Sequence, residues 1–200
     1  MGDFLNESQE ILKHGERLPH WQQGDVIQFV TFRLGDSLPE SKLRQWREHR
    51  ETWLAHHPKP WSPEIEKQYH LRFTRQLENW LDESVCSCLL SSPQYREILE
   101  GVLMLYQGVR VVHHAWVIMP NHLHLLFTPK QPLEKLIKAW KGTSARRIGQ
   151  GSIWQQNYRD TLIRDRDHFA NAVRYIRRNP AKLKPGTFTL WQGPKALAIK

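Results

Sequence analysis

The sequence predicts an α+β fold, and three observations support this prediction. Residues 109–118 and 122–129 are two strand-like runs separated only by a Met-Pro-Asn tripeptide, which is typical of a hairpin. Two further strand-like runs flank this hairpin, over residues 26–34 and 153–165. Segments with helical periodicity lie between the strands. The resulting order is that of the ferredoxin-like (βαββαβ) plan, an antiparallel sheet with helices on one face.

A long helical stretch follows the first predicted strand, VIQFVTFRL, which is rich in β-branched and aromatic residues. Residues 40–57 repeat apolar side chains at helical spacing, and residues 65–80 do the same after a proline-rich break. A third helix is expected after Ser92, which suits an N-cap, with Pro93 in the first turn. We therefore expect a helical insertion over about residues 40–107.

The second half of the chain is expected to alternate helix, strand and helix. Residues 132–148 are amphipathic, and the strand at 153–165 follows them. The last helix is expected over residues 167–179, capped by Asp167 and ended by Pro180. The predicted organisation is an N-terminal extension over residues 1–20, one domain over residues 21–184 and a C-terminal tail over residues 185–200.

Positive charge is concentrated at one end of the chain. The net charge is +9, and residues 131–200 carry fifteen Lys and Arg against four Asp and Glu, a net of +11. The remaining residues carry fourteen against sixteen, a net of −2. A basic half next to a near-neutral half is typical of a protein that binds a polyanion, although a solvated basic face has the same composition.

Composition also bears on the compartment. The two cysteines, Cys86 and Cys88, are too close for an ordinary disulfide loop and lack the second pair of a zinc site, so we expect a reducing compartment. No apolar stretch reaches the ~20 residues that span a bilayer. The first twenty residues lack the apolar segment of a secretory signal. A cytoplasmic protein is therefore expected.

Two histidines stand out within the hairpin. His122 and His124 are two residues apart in a strand-like run, and a strand turns residues i and i+2 to the same face. Paired imidazoles on one face of a sheet form a ready metal clamp. The alternative is that both are ordinary core or surface residues, because two ligands alone do not make a site.

The last predicted helix offers a reactive group and a third ligand. Tyr175 and Asn179 are four residues apart, about 40° around a helix, and share a face. A phenol has a pKa near ~10, and neighbouring cations or a metal favour the nucleophilic phenolate. Three cations are adjacent in sequence, namely Arg174, Arg177 and Arg178. The alternative is a tyrosine packed between helix and sheet, followed by an Asn C-cap.

These motifs resemble those of a known family. MPNHLHLLF resembles the HUH motif of the single-tyrosine transposases of the IS200/IS605 group. IWQQNYRDTLIRD followed by RYIRRNP resembles the REP-associated tyrosine transposases, and LPHWQQGDVIQFVTFRLGDSLP is similar to their first strand and its lead-in. The three blocks are spread over residues 18–180, so the resemblance covers most of the chain.

The resemblance implies a set of roles. His122 and His124 would bind Mg²⁺ or Mn²⁺ with Asn179 as the third ligand, and Tyr175 would be the nucleophile that stays joined to a 5′ phosphate. The substrate would be single-stranded DNA beside hairpins of the repetitive extragenic palindrome type, and relatives include monomers and homodimers. The cations expected to bind phosphates are Lys135, Lys138, Lys141, Arg146, Arg147, Arg174, Arg177 and Arg178.

Two other functions remain open from the sequence. The first is a domesticated protein that binds hairpin DNA or RNA by shape and charge without catalysis. The second is a metal-dependent nuclease that uses water and forms no covalent adduct. Tyr158 is the rival nucleophile in the transposase interpretation, but no polar residue follows it at four positions to complete the clamp.

Overall fold

The computed structural model describes residues 2–14, 20–58, 60–83 and 87–200. Its centre is a five-stranded antiparallel sheet in the order β6-β3-β5-β4-β7. The first four strands in this order reproduce the strand arrangement expected for the ferredoxin-like plan, so the predicted α+β fold class is confirmed. The strands of the sheet are β3 (Gln28–Arg33), β4 (Val111–Ile118), β5 (His122–Pro129), β6 (Arg159–Leu162) and β7 (Thr189–Gln192).

Helices cover both faces of this sheet. On one face, the apolar sides of α4 (Pro93–Met104) and α5 (Leu133–Ile148) pack against alternate residues of β3 and β5, including Phe32 and Leu125. On the other face, α6 (Arg166–Arg178) and the short α7 (Pro194–Leu197) pack against the residues between them, including Leu126. The helices of the predicted core therefore share one face, and the added C-terminal helix lies on the opposite one.

Side chains of the central strand β5 alternate between the two faces of the sheet. Its odd-numbered residues, such as Leu123 and Leu125, point into the core under α4 and α5. Its even-numbered residues, including His122 and His124, point to the face that α6 covers. The register with β3 places Arg33 opposite His122 and Thr31 opposite His124.

Residues 36–88 form a second compact unit of helices. They comprise α1 (Glu40–His56), α2 (Pro63–Tyr69) and α3 (Arg75–Glu83), and a π-helical turn over His70–Thr74 joins the last two without a break. This unit is shorter than the insertion expected over about residues 40–107, because α4 belongs to the compact unit that contains the sheet. Cys86 lies outside the described residues.

The strand expected over residues 153–165 is much shorter in the structure. Only Arg159–Leu162 pair with β3, and Trp154 forms an isolated bridge with Leu34. Between these two points, the carbonyl oxygens of Gln155, Gln156 and Asn157 accept hydrogen bonds from Lys141 Nζ at 2.8, 3.3 and 3.0 Å. The lysine thus replaces the neighbouring strand as the partner of these three carbonyls, while the Gln155 amide still donates to the Arg33 carbonyl at 3.0 Å.

The N-cap of the last helix was wrongly predicted. Asp165 caps α6, and its Oδ1 accepts a hydrogen bond from the His168 amide at 2.7 Å, whereas Asp167 lies in the first turn. The helix ends as expected before Pro180, which leads into a 3₁₀ turn over Asn179–Lys182.

Both chain ends carry structure that the sequence did not predict. In the region expected as an extension or lead-in, β1 (Leu12–His14) and β2 (His20–Gln22) pair as a small separate sheet. In the region expected as a tail, β7 adds a strand to β4, with Leu190 opposite Val117. No helix in the described part of the chain is long and apolar enough to cross a membrane.

Candidate active site

The two motif histidines face each other on the sheet. His122 Nε2 and His124 Nε2 are 3.2 Å apart, and their rings are nearly perpendicular. Both side chains are buried, at 2% and 1% exposure. Nitrogen ligands lie ~2.1 Å from a metal, so two nitrogens at this separation can share one ion at an angle of about 100°. The structure therefore brings the predicted clamp together.

Each imidazole is oriented by a partner on its other nitrogen. His122 Nδ1–H donates to Asn121 Oδ1 at 2.6 Å, which leaves the Nε2 lone pair directed away from that amide. His124 Nδ1 lies 2.7 Å from Thr31 Oγ1 on the neighbouring strand β3. When Nδ1 is the donor of this second bond, His124 Nε2 also presents a lone pair. Such partners fix ring orientation and tautomer in metal-binding histidines.

Burial keeps both rings neutral. Desolvation, with a smaller contribution from the Arg33 cation, lowers the pKa of His122 to about 3. Desolvation, then His122 and Arg159, lowers the pKa of His124 well below its ordinary value. A neutral imidazole is the form that binds a metal, so both rings are available as ligands at neutral pH.

The tyrosine of α6 lies directly above this pair. Tyr175 Oη is 3.5 Å from His124 Nε2, and its ring meets the His124 ring edge-to-face at 5.1 Å between centroids. Phe29 stacks on His124 at 5.6 Å and meets Tyr175 edge-to-face at 5.8 Å, so it lines the same side of the site. The hydroxyl is therefore held at the clamp by the packing of α6 on the sheet.

The predicted third ligand has an unsatisfied acceptor. Asn179 Oδ1 is buried and has no hydrogen-bond partner among the described residues. Orphaned buried oxygens are rare in folded proteins and call for a ligand, an ion or water. Asn179 is one helical turn after Tyr175 and lies on its side of the helix. Two imidazoles and one amide oxygen are ligand types that suit a divalent metal ion.

This donor set differs from that of a zinc site. Within residues 2–14, 20–58, 60–83 and 87–200, no group of three or more His, Cys, Asp or Glu could hold a metal. Zinc sites usually draw three or four ligands from such residues, whereas an amide oxygen suits harder ions. The candidate ligands, His122, His124 and Asn179, are all neutral.

The rival tyrosine is in a different environment. Tyr158 belongs to the core under α5, on the face opposite the histidine pair, and its ring stacks on His20 at 3.7 Å. Burial and the nearby Asp160 carboxylate raise its pKa well above the ordinary value. Both effects disfavour a phenolate at Tyr158.

The structure divides the predicted phosphate-binding cations into two groups. Four are exposed on α5, on the sheet face opposite the histidine pair, and Arg178 is exposed on α6. These five remain candidates for phosphate contacts: Lys135, Lys138, Arg146, Arg147 and Arg178.

Three other cations have partners within the protein. Lys141 caps the carbonyls described above, and burial lowers its pKa to about 8. Arg177 donates to Gln192 Oε1 at 2.5 Å, to the Ile199 carbonyl at 2.6 Å and to the Ala196 carbonyl at 2.7 Å. Arg174 donates to Asn171 Oδ1 at 3.0 Å and to the Lys200 carbonyl at 3.1 Å. These bonds give the three cations a role in holding the fold, and their contacts with phosphate remain a prediction.

Two residues of the site escaped the sequence analysis. Asn121 immediately precedes His122 in the Met-Pro-Asn-His run. This adjacency could have indicated that the side-chain amide of Asn121 hydrogen-bonds to the His122 ring. Thr31 is 93 residues from His124, and only the register of β3 against β5 reveals their pairing.

Comparison with known proteins identifies the segment that carries the site. Residues 91–179 match the family described as transposase IS200 like. This segment includes His122, His124, Tyr175 and Asn179, so the resemblance predicted from the motifs is confirmed there. No curated protein matches the chain.

Two solved structures are similar to the chain. One is a REP-associated tyrosine transposase bound to a REP hairpin, at 17% identity over 84% of this chain and 74% of that one, with a TM-score of 0.46. The other, from Deinococcus radiodurans R1, carries a provisional transposase name and shows 16% identity over 84% of this chain and 98% of that one, with a TM-score of 0.34. Because both similarities are weak, the fold assignment rests on the strands and helices of this chain itself.

Proposed function

We propose, from the match of residues 91–179 to the family of IS200-like transposases, that this protein cuts and rejoins single-stranded DNA through a covalent bond to Tyr175. The observation that carries the proposal is the position of the Tyr175 hydroxyl, 3.5 Å from a histidine of a two-histidine clamp. A hydroxyl beside a candidate metal clamp is placed as a nucleophile for a bound phosphate.

The bonds made and broken balance without a co-substrate. Tyr175 Oη forms a bond to the phosphorus, and the bond from phosphorus to the 3′ oxygen breaks. The phenol loses its proton and the departing 3′ oxygen gains one. The phosphotyrosine conserves the energy of the original phosphodiester, so a 3′ hydroxyl can later displace the tyrosine and reseal a strand without ATP.

Other residues of the site would bind the metal ion and position Tyr175. His122 and His124, oriented by Asn121 and Thr31, together with Asn179 would hold Mg²⁺ or Mn²⁺. When bound, such an ion supplies charge that polarises the scissile phosphate. Phe29 and the packing of α6 hold the Tyr175 ring against the clamp and restrict its rotation.

We further propose that the substrate is a single strand next to a hairpin of the repetitive extragenic palindrome type. Exposed cations on α5 and α6 supply attraction for the phosphate backbone. Charge of this kind is not selective, so preference for a hairpin must come from its shape and from a few base contacts.

Two tyrosine variants test the nucleophile, with Tyr158→Phe as the matched control. Tyr158 Oη is buried and has no hydrogen-bond partner within the described part of the chain, so its removal should leave the fold intact. Wild type and each variant would be incubated with a hairpin-bearing single strand and Mn²⁺ and run on a denaturing gel. We expect a covalent protein–DNA species in wild type and Tyr158→Phe, and none in Tyr175→Phe.

The same gel separates the competing functions. An adduct that persists in Tyr175→Phe refutes the assignment of the nucleophile. Cleaved DNA without an adduct in wild type indicates a nuclease that uses water. Binding without cleavage by wild type indicates a protein that holds hairpins without catalysis.

A further inference from the structure

Two arginines share the sheet face of the histidine clamp. Arg33 on β3 is directly opposite His122 on β5, and Arg159 on β6 is directly opposite Thr31, the partner of His124. Residues directly opposite on antiparallel strands point to the same face, with Cβ atoms about 5 Å apart. The extended side chain of an arginine therefore reaches the region in front of the clamp from either position.

The two arginines differ in exposure. Arg33 is buried, at 6% exposure, whereas Arg159 is exposed to solvent. Burying a guanidinium costs free energy, and both arginines interact with other groups of the chain. Both cations also act on the clamp, since they add to desolvation in lowering the pKa of His122 and His124, respectively. Positive charge is thus directed at the clamp from two sides.

The cleavage reaction creates a need for this charge. As an oxygen attacks a phosphodiester, negative charge grows on the two non-bridging oxygens of the phosphate. The clamp itself contributes only neutral ligands, two imidazoles and one amide. A guanidinium presents paired N–H donors that match two phosphate oxygens, and its charge does not depend on pH in the working range.

We propose that Arg33 and Arg159 bind the non-bridging oxygens of the scissile phosphate, Arg33 from the side of His122 and Arg159 from the side of His124. The proposal rests on the cleavage function proposed above and adds two catalytic residues to it. Both arginines keep their protons throughout, because they stabilise charge without transferring atoms.

The test measures single-turnover formation of the Tyr175–DNA adduct and, separately, the affinity for the same strand. Arg159→Gln should lower the rate constant of adduct formation about 100-fold, the scale for loss of one donor to a transition state. Its dissociation constant should change less than about threefold, since one phosphate contact among several is lost. Arg159→Lys, which keeps the charge but not the paired donors, should recover part of the rate.

Arg110→Gln is the matched control, because it removes the same charge elsewhere. Arg110 is exposed, packs over the Tyr106 ring at 4.5 Å and precedes β4 at the end paired with Pro129. That end is about five strand residues, or roughly 17 Å, from His124 along β5. Arg110→Gln should form adduct at the wild-type rate.

Arg33→Gln and Arg33→Lys complete the test, with folding checked by circular dichroism because Arg33 is buried. Arg33→Gln should also slow the adduct about 100-fold. If the Arg33 variants do not fold, the rate of adduct formation by Arg159→Gln tests the inference, because Arg159 is exposed. Wild-type rates in Arg159→Gln would overturn the inference while leaving the proposed function in place. Absence of any adduct in wild type would overturn both.

Discussion

Acid should destabilise this protein through four buried imidazoles. All four are at most 3% exposed, and desolvation is the first cause of the lowered pKa of each. The pKa of His113 and of His114 falls to about 4, that of His122 falls to about 3, and that of His124 lies well below its ordinary value. Between pH 6.5 and pH 5 the folded chain therefore keeps these rings neutral.

The sign of the effect follows from proton binding. An unfolded histidine, with a pKa near ~6.5, takes up a proton as the pH falls below that value, whereas these folded ones do not. The unfolded state then binds more protons, so the free energy of unfolding falls as the pH falls. One such ring contributes up to about 1.4 kcal/mol per pH unit, or about 2 kcal/mol between pH 7 and pH 5. Four rings together give about 8 kcal/mol, comparable with the whole stability of many domains.

Urea unfolding at pH 7, 6 and 5, in the presence of a chelator, measures this loss. His113→Gln should remove about 2 kcal/mol of the pH-dependent part, because one of the titrating rings is gone. His49→Gln, at an exposed position of α1, should leave the pH dependence unchanged. An unfolding free energy that is the same at pH 7 and pH 5 would refute the reasoning.

Two further predictions concern DNA. Replacing both His122 and His124 by alanine should abolish cleavage and preserve most hairpin binding, as followed by gel and by titration, because the basic surface is untouched; normal cutting with Mg²⁺ would contradict the metal site. Neutralising the four exposed cations of α5 should reduce the slope of log K against log salt by about 2.8, at about 0.7 per phosphate contact, without slowing adduct formation on bound DNA. The same titrations should show a hairpin strand bound more tightly than linear single strand or duplex, and an unchanged slope or equal affinities would contradict this prediction. The cations replaced are Lys135, Lys138, Arg146 and Arg147.

Elements with a strong local pattern were predictable from the sequence. The hairpin strand over residues 122–129 and the helix that starts at Pro93 after Ser92 lie where periodicity and capping rules put them. The strand β7 was not predictable, because its four residues are all half-buried and show no alternation. Its pairing with the edge of β4 is decided by tertiary contacts.

The same distinction between local pattern and tertiary contact applies to the site. The i, i+2 histidines and the i, i+4 spacing of Tyr175 and Asn179 are local geometry, so the sequence was sufficient to bring them together as candidates. The partners of charged side chains are not local. Lys141 and Arg177 have the same sequence appearance as phosphate-binding cations, yet backbone carbonyls bind both of them. The sequence shows that a charged side chain is present but not which groups it binds.

The bonds of Arg177 bear on which subunit keeps a cut DNA end. The helix that carries Tyr175 is fastened to the final segment of its own chain, through Gln192, Ala196 and Ile199. Exchange of this helix between two copies would first have to release all three bonds. With these bonds in place, the Tyr175 hydroxyl lies at the histidine pair of its own chain. Under the function proposed above, a cut 5′ end would therefore stay with the subunit that made the cut.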